Sequence, residues 1–165
     1  MCPKKRVHSK KVWLPQGKYP RIENSNKKEN RSVYGFLNVK TGQEYAFKKS
    51  WQNMFIAVEV LKEIRRICLG LNILLLWDSP GWHRGSEVLK FIKEDGKIKI
   101  IFFPKYAPDL NPQEHVWKEG RNKITNNKFI ENIDKATDEF VNYLNTTRFN
   151  YSLLEFRNSN SDLGV

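Results

Sequence analysis

Cysteine occurs only twice, as Cys2 and Cys68, which excludes a disulfide framework and a cysteine-built zinc site and suits a reducing compartment. Histidine is also scarce: His8, His83 and His115 lack the short paired spacing of a zinc-binding helix. Long hydrophobic runs are missing. The longest apolar stretch, Ile67 to Trp77, is broken by Gly70 and Asn72 and falls short of the roughly 20 residues that a bilayer span requires. The basic start MCPKKRVHSKK has no apolar segment behind it to make a secretory signal. A glycine-rich phosphate loop and a nucleophile elbow are both absent, which disfavours a small α/β hydrolase acting on an acidic metabolite. These absences point to a cytoplasmic protein with no membrane partner.

Positive charge is what the sequence has in excess: 29 Lys and Arg stand against 18 Asp and Glu, a net charge of +11. Such a balance favours a polyanionic partner, because each neutralised phosphate releases condensed counterions, and nucleic acid is the leading candidate. The 165 residues, 39% hydrophobic and 13% aromatic, suffice for one folded domain with a real core.

The polar runs ENSNKKENR (23–31) and RNSNSDLGV (157–165) read as a loop and a frayed end. Between them, SVYGFLNV (32–39) and QEYAFKK (43–49) flank the turn KTG, which predicts a hairpin. From Trp51 the apolar residues fall at 51, 55, 58, 61, 64 and 68, with Gly70 as a stop; these steps of three and four predict an amphipathic helix. NILLLW (72–77) predicts a buried strand, SEVLKFIKED (86–95) a helix closed by Gly96, and KIKIIFF (97–103) a second strand. Strand, helix and strand in about 30 residues make a right-handed βαβ unit. A proline-punctuated loop then feeds a helix starting near Pro112. The last helix, over about 130–147, carries Ile133, Ala136, Phe140, Val141 and Leu144 on one face.

In a parallel βαβ unit both strands end at the same sheet edge, where open α/β sheets bind ligands. Asp78 follows the first strand directly, and the loop from Pro104 leaves the second beside it. The helix near Pro112 brings Glu114 back towards Asp78, although 35 residues lie between them. Two such carboxylates can form a metal site: hard oxygen ligands suit Mg2+ or Mn2+, and divalent ions on a phosphodiester support in-line phosphoryl transfer without a nucleophilic side chain.

Each of these residues also has an ordinary structural reading. Asp78 is a common turn former, as are Asp109 and Asn111. In NPQE, Asn111 fits an N-cap, Pro112 the first helical position and Glu114 the third, a capping-box arrangement. Trp117 reads as core, and His83 fits a surface loop as well as an active site. The combination favours function: two acids delivered to one sheet edge by a basic chain with no other obvious chemistry.

LLLWDSPGWHRG (74–85) and IIFFPKYAPDLNPQEHVW (100–117) resemble the second and third acidic motifs of the mariner-like insertion-sequence transposases of bacteria and archaea, a branch of the DDE superfamily with an RNase H-like fold. Pro104, Tyr106, Pro108, Asp109, Leu110, Asn111, Pro112, Glu114 and Trp117 fall where the family pattern has them. Trp13, Pro15, Gly17 and VYGFLNVKTG resemble the stretch that follows the family's first acidic motif, so the likeness covers about residues 11–150. Ser79 departs from the pattern, which usually has asparagine there.

The resemblance implies an α/β, RNase H-like fold, a mixed sheet flanked by helices. It implies cut-and-paste DNA transposition, with Asp78 and Glu114 as catalytic ligands of Mg2+ (or Mn2+) and with His83 and Asn111 orienting them. Lys105, Lys118, Arg121 and Lys123 become candidates for phosphate contacts. The implied partners are DNA, as element ends and target, and further copies of the chain or an upstream transposase fragment, in a nucleoid-associated setting.

The family's triad opens with an aspartate on its first strand, upstream of the region that Trp13 matches, and here no acidic residue precedes Glu23. The expectation is a domain truncated at its N-terminus: a basic segment and loop over 1–30, a catalytic-type domain over 31–150 lacking its first central strand, and a tail over 151–165. Loss of one ligand of three would cripple a two-metal site. A missing central strand leaves backbone groups that another segment must pair, and KKVWLP (10–15) is the candidate. A noncatalytic DNA-binding or assembly module derived from a transposase is the alternative. Both readings predict DNA binding; metal-dependent cleavage separates them.

Overall fold

The computed structural model describes Gln16 and residues 29–78, 81–104 and 111–151. The elements are β1 (Ser32–Asn38), β2 (Gln43–Lys49), α1 (Met54–Ile67), β3 (Ile73–Trp77), a 3-10 turn (Gly81–Arg84), α2 (Ser86–Asp95), β4 (Ile98–Phe102), α3 (Pro112–Ile124) and α4 (Ile133–Thr146). KKVWLP, the position expected for a first central strand, Lys105 and the 157–165 tail lie outside the described residues.

The hairpin forms as its sequence predicts, β1 antiparallel to β2 with register from Ser32↔Lys49 to Asn38↔Gln43. Asn38 builds the turn, its Oδ1 accepting from the N–H groups of Lys40 and Thr41 at 3.0 and 3.1 Å. Because side chains alternate across a strand, the hairpin serves two cores. Val33 and Ala46 pack with Val116, Trp117, Phe140, Leu144 and Phe149, a core shared with α3 and α4. Tyr34, Phe36 and Phe47 pack with Ala57, Val60, Leu61, Trp77 and Val88, a core shared with α1, α2 and β3. β3 and β4 pair in parallel, Ile73↔Ile98 through Trp77↔Phe102, with α2 as the crossover between them. Among the described residues the strands thus make one antiparallel and one parallel pair.

Two expectations need correction. The helix after β2 begins at Met54, with the Asn53 side chain capping Ile56 N–H, and buries Ala57, Val60, Leu61 and Ile64. Trp51 and Phe55, expected on its inner stripe, are 72% and 59% exposed. The run FIAVEVL is apolar at nearly every position, so steps of three and four fit more than one phase of the helix; packing against Tyr34 and Trp77 selects the face with the small Ala57. β3 is also less buried than its sequence suggests. Trp77 is in the core, whereas Leu74 is 62% exposed and Ile101 on β4 is 52% exposed, because the helices cover one face of this pair of strands.

α2 closes at Gly96 as predicted, in a left-handed conformation with its N–H donating to the Ile92 carbonyl. α4 starts at Ile133 under an Asn132 cap and buries Ile133, Thr137, Phe140 and Leu144, with Ala136 and Val141 half-buried at the margin of that face. Among the described residues no helix is long and apolar enough to cross a membrane.

Candidate functional site

β3 and β4 end side by side: the Phe103 N–H donates to the Trp77 carbonyl at 2.9 Å. Trp77 is the last core residue of β3, with its ring 6.2 Å from that of Phe36. Asp78 follows it out of the core, and its side chain is 60% exposed. The 3-10 turn brings His83 back under this acid. His83 is buried and stacks on Trp77, ring centroids 3.7 Å apart. Its Nδ1 lies 2.9 Å from Asp78 Oδ1 and 3.3 Å from the Asp78 carbonyl. Both partners can only accept, so Nδ1 carries the proton and donates. The Arg84 guanidinium, 4.5 Å above the Phe102 ring, pins the same turn to the end of β4 by a cation–π contact.

The second acid arrives on α3. Asn111 is its N-cap, with Oδ1 accepting from Gln113 N–H at 3.1 Å, and Pro112 occupies the first turn. The Glu114 N–H donates to the Asn111 carbonyl at 3.0 Å. Glu114 itself is exposed, and among the described residues its carboxylate makes no hydrogen bond back to the cap. The capping box is therefore half-formed, which leaves the carboxylate available. Trp117 is core as predicted, stacked on Phe140.

Consecutive residues of β1 contact the residues that precede the two acids. Phe36 packs on Trp77, the residue before Asp78; the Leu37 N–H donates to Gln113 Oε1 at 3.1 Å, the residue before Glu114. Among the described residues no group of three or more His, Cys, Asp or Glu gathers as a metal site. A pair of exposed carboxylates nonetheless fits Mg2+, which keeps several waters and commonly takes one or two protein carboxylates plus substrate phosphates. Of the basic candidates, Lys118 and Arg121 follow Glu114 by one and two turns on the same face of α3, whereas Lys123 falls on the opposite face. Lys105 lies outside the described residues.

Sequence reading passed over Glu44. It is fully buried on β2, and Gln113 Nε2 donates to its Oε1 at 2.7 Å. Burial pushes its pKa up to about 8, against the opposing pull of the Gln113 hydrogen bond. Among the described residues its Oε2 has no hydrogen-bond partner. The signal was the strand alternation, which sets Glu44 on the same face as the core residue Ala46.

The sequence profile described as DDE superfamily endonuclease matches residues 2–137. The insertion element IS630 uncharacterized 39 kDa protein of Shigella sonnei is 24% identical over 116 residues, covering 70% of this chain and 34% of that protein. The uncharacterized protein y4pE/y4sA of Sinorhizobium fredii (strain NBRC 101917 / NGR234) is 34% identical over 77 residues, 46% of this chain and 54% of that protein. The chain thus spans about a third and about half of the length of these relatives. Among solved structures, the Mos1 transposase paired-end complex with left transposon end superposes with a TM-score of 0.67 at 11% identity, covering 91% of this chain and 47% of that one. The Mos1 strand transfer complex gives 0.65 at 11% identity, over 91% of this chain and 46% of that one. The Mos1 mariner paired end complex with Mn gives 0.63 at 11% identity, over 89% and 48%. These likenesses show the fold: α/β, RNase H-like, with small sheets flanked by helices.

Proposed function

Because this chain belongs to the DDE superfamily of endonucleases, and within it is of the IS630/mariner type, we propose that it is the catalytic-type domain of a transposase, acting in metal-dependent DNA strand cleavage and transfer during cut-and-paste transposition. What supports this reading most is that two exposed carboxylates, Asp78 and Glu114, each follow a residue held by β1, Trp77 against Phe36 and Gln113 on the Leu37 N–H.

Asp78 and Glu114 would hold Mg2+ or Mn2+. Bound there, the ion neutralises charge on a phosphodiester and orients it for in-line displacement. The chain's own residues do the rest. His83 donates to Asp78 and sets the direction of its carboxylate, as partners of metal ligands commonly do. Asn111 caps α3 and holds the first turn that carries Glu114. Lys118 and Arg121 supply cations to the DNA backbone beside Glu114, Lys123 does so from the opposite face of α3, and Lys105 adds a further cation, in keeping with the net charge of +11. The proposed partners are element ends and target DNA, since one Mos1 neighbour is a paired-end complex with left transposon end, and the proposed setting is nucleoid-associated in the cytoplasm. Paired-end assembly in that neighbour also motivates a homo-oligomer.

One feature favours a second reading. A DDE triad needs a third carboxylate, and residues 1–22 contain no acid. Either a carboxylate from outside residues 1–22, such as one on an upstream transposase fragment, completes the triad, or the chain works as a noncatalytic DNA-binding or assembly module. Nicking of supercoiled plasmid in Mg2+ or Mn2+ decides. Nicking by the wild-type chain that Asp78→Asn abolishes, with DNA binding retained, supports the catalytic reading. Salt-sensitive binding with no nicking in either metal, and none when an acid-bearing upstream fragment is added, supports the module.

A further inference from the structure

We infer that Gln113 and Glu44 form a clamp that positions Glu114, fastening the first turn of α3 to the hairpin; the inference rests on the metal-ligand reading of Glu114. Leu37 and Glu44 face each other across the hairpin, and the Gln113 amide spans that pair. Its carbonyl accepts from the Leu37 N–H at 3.1 Å and its Nε2 donates to Glu44 Oε1 at 2.7 Å. The Leu37 N–H can only donate, which fixes the orientation of the amide without ambiguity between its oxygen and nitrogen.

The surroundings of the clamp are built for close approach. A Cβ at Gly35 would run into the Glu44 carboxyl and the Trp117 ring, and would lie 2.8 Å from Gln113 Nε2. A side chain at this strand position would therefore separate the three groups that meet over it. Glu44 is fully buried, so its bond to Gln113 is made away from water, where hydrogen bonds are stronger and unpaired groups cost more. A leucine of similar shape would escape that cost; what the glutamate provides in return is an acceptor for Gln113.

The connection to Glu114 is covalent and short. Gln113 is the adjacent residue, and among the described residues the Asn111 side chain ties down only the Gln113 N–H. Helix ends otherwise open easily, whereas a metal ligand has to be held within about 0.5 Å of its working geometry. The clamp supplies that restraint from the hairpin side, as His83 does for Asp78 from the β3 side.

The test uses the whole chain, with two readouts. Mn2+ affinity is measured by EPR titration, and amide exchange of Leu37 and of the first turn of α3 by NMR. Gln113→Leu and Glu44→Leu are expected to weaken Mn2+ binding about 10-fold or more, the usual range for loss of a ligand's supporting partner. Glu44→Gln keeps a carbonyl oxygen for Gln113 and restores affinity to within about twofold of wild type. Glu44→Leu is expected to be no less stable than wild type, so its lost affinity separates positioning from simple support of the fold. Leu37 exchange accelerates in Gln113→Leu. Unchanged Leu37 exchange and unchanged Mn2+ affinity in Gln113→Leu would overturn the clamp. If wild type shows no Mn2+ binding that Asp78→Asn removes, the metal-ligand reading falls instead. The Leu37 exchange rate then decides the clamp alone: faster in Gln113→Leu upholds it, and unchanged overturns it.

Discussion

His83 Nδ1 stands 2.9 Å from an oxygen of the exposed Asp78 carboxylate, while the rest of its ring is buried against Trp77. A core aromatic thus seats a histidine, and the histidine aims an acid that leaves the core. Removing the histidine should therefore affect both the fold and the acid.

For His83→Ala, loss of the stacked, hydrogen-bonded ring should lower stability by about 1–3 kcal/mol, as for other buried polar groups with lost partners. Mn2+ affinity should fall about 10-fold, the lower end of the range for groups that orient metal ligands. Urea unfolding and Mn2+ titration of the same variant check the two effects. A variant with weakened folding and unaltered Mn2+ affinity would remove His83 from the site.

Glu44 predicts a specific pH dependence of stability. Its folded pKa is raised by burial from 4.5 to about 8, so between these values the folded protein keeps a proton that the unfolded chain releases. The contribution is fully present below about pH 4.5, declines as pH rises, and is gone above about pH 8. The slope for this one group is about 1.4 kcal/mol per pH unit at most. Urea unfolding at pH 5 and pH 8.5 should show wild type losing several kcal/mol relative to Glu44→Gln. Parallel losses in the two proteins would contradict the assignment.

Gly35→Ala should destabilise the hairpin–α3 packing, since its Cβ would meet the Glu44 carboxyl, the Trp117 ring and Gln113 Nε2. Overpacking of this kind costs about 1–3 kcal/mol, and thermal unfolding measures it. A melting temperature equal to that of wild type would mean that the neighbouring side chains move aside freely.

The elements easiest to read in the sequence were those with a single consistent signal. SVYGFLNV and QEYAFKK alternate around a turn that Asn38 can build, and Gly96 and Asn111 mark helix ends by their own backbone and side-chain chemistry. α1 was harder. Its apolar residues are nearly continuous from Phe55 to Leu61, and periodicity alone could not show that Ala57 and Val60 face inwards while Phe55 faces water. β3 misled in the opposite way: ILLLW looks buried on both faces, but among the described residues only one face is covered.

In the candidate site, the position of Asp78 was legible because an acid directly after an apolar strand stands at a sheet edge. Glu114 was legible because NPQE marks a helix start. Glu44 was not, since a lone glutamate in a half-polar strand looks like a solvent-facing residue until its cross-strand partner and Gln113 are seen. The His83–Asp78 contact depends on the turn between them, which spacing along the chain does not determine.

The most direct test of the central claim is to add substoichiometric Mn2+ to the 15N-labelled protein and follow paramagnetic broadening. The account predicts that the amides of Asp78, Phe103 and Gln113–His115 broaden first, and that Asp78→Asn removes the effect. Broadening centred on the Asp134 and Asp138 carboxylates of α4, or no selective broadening at all, would contradict a metal site shared by Asp78 and Glu114.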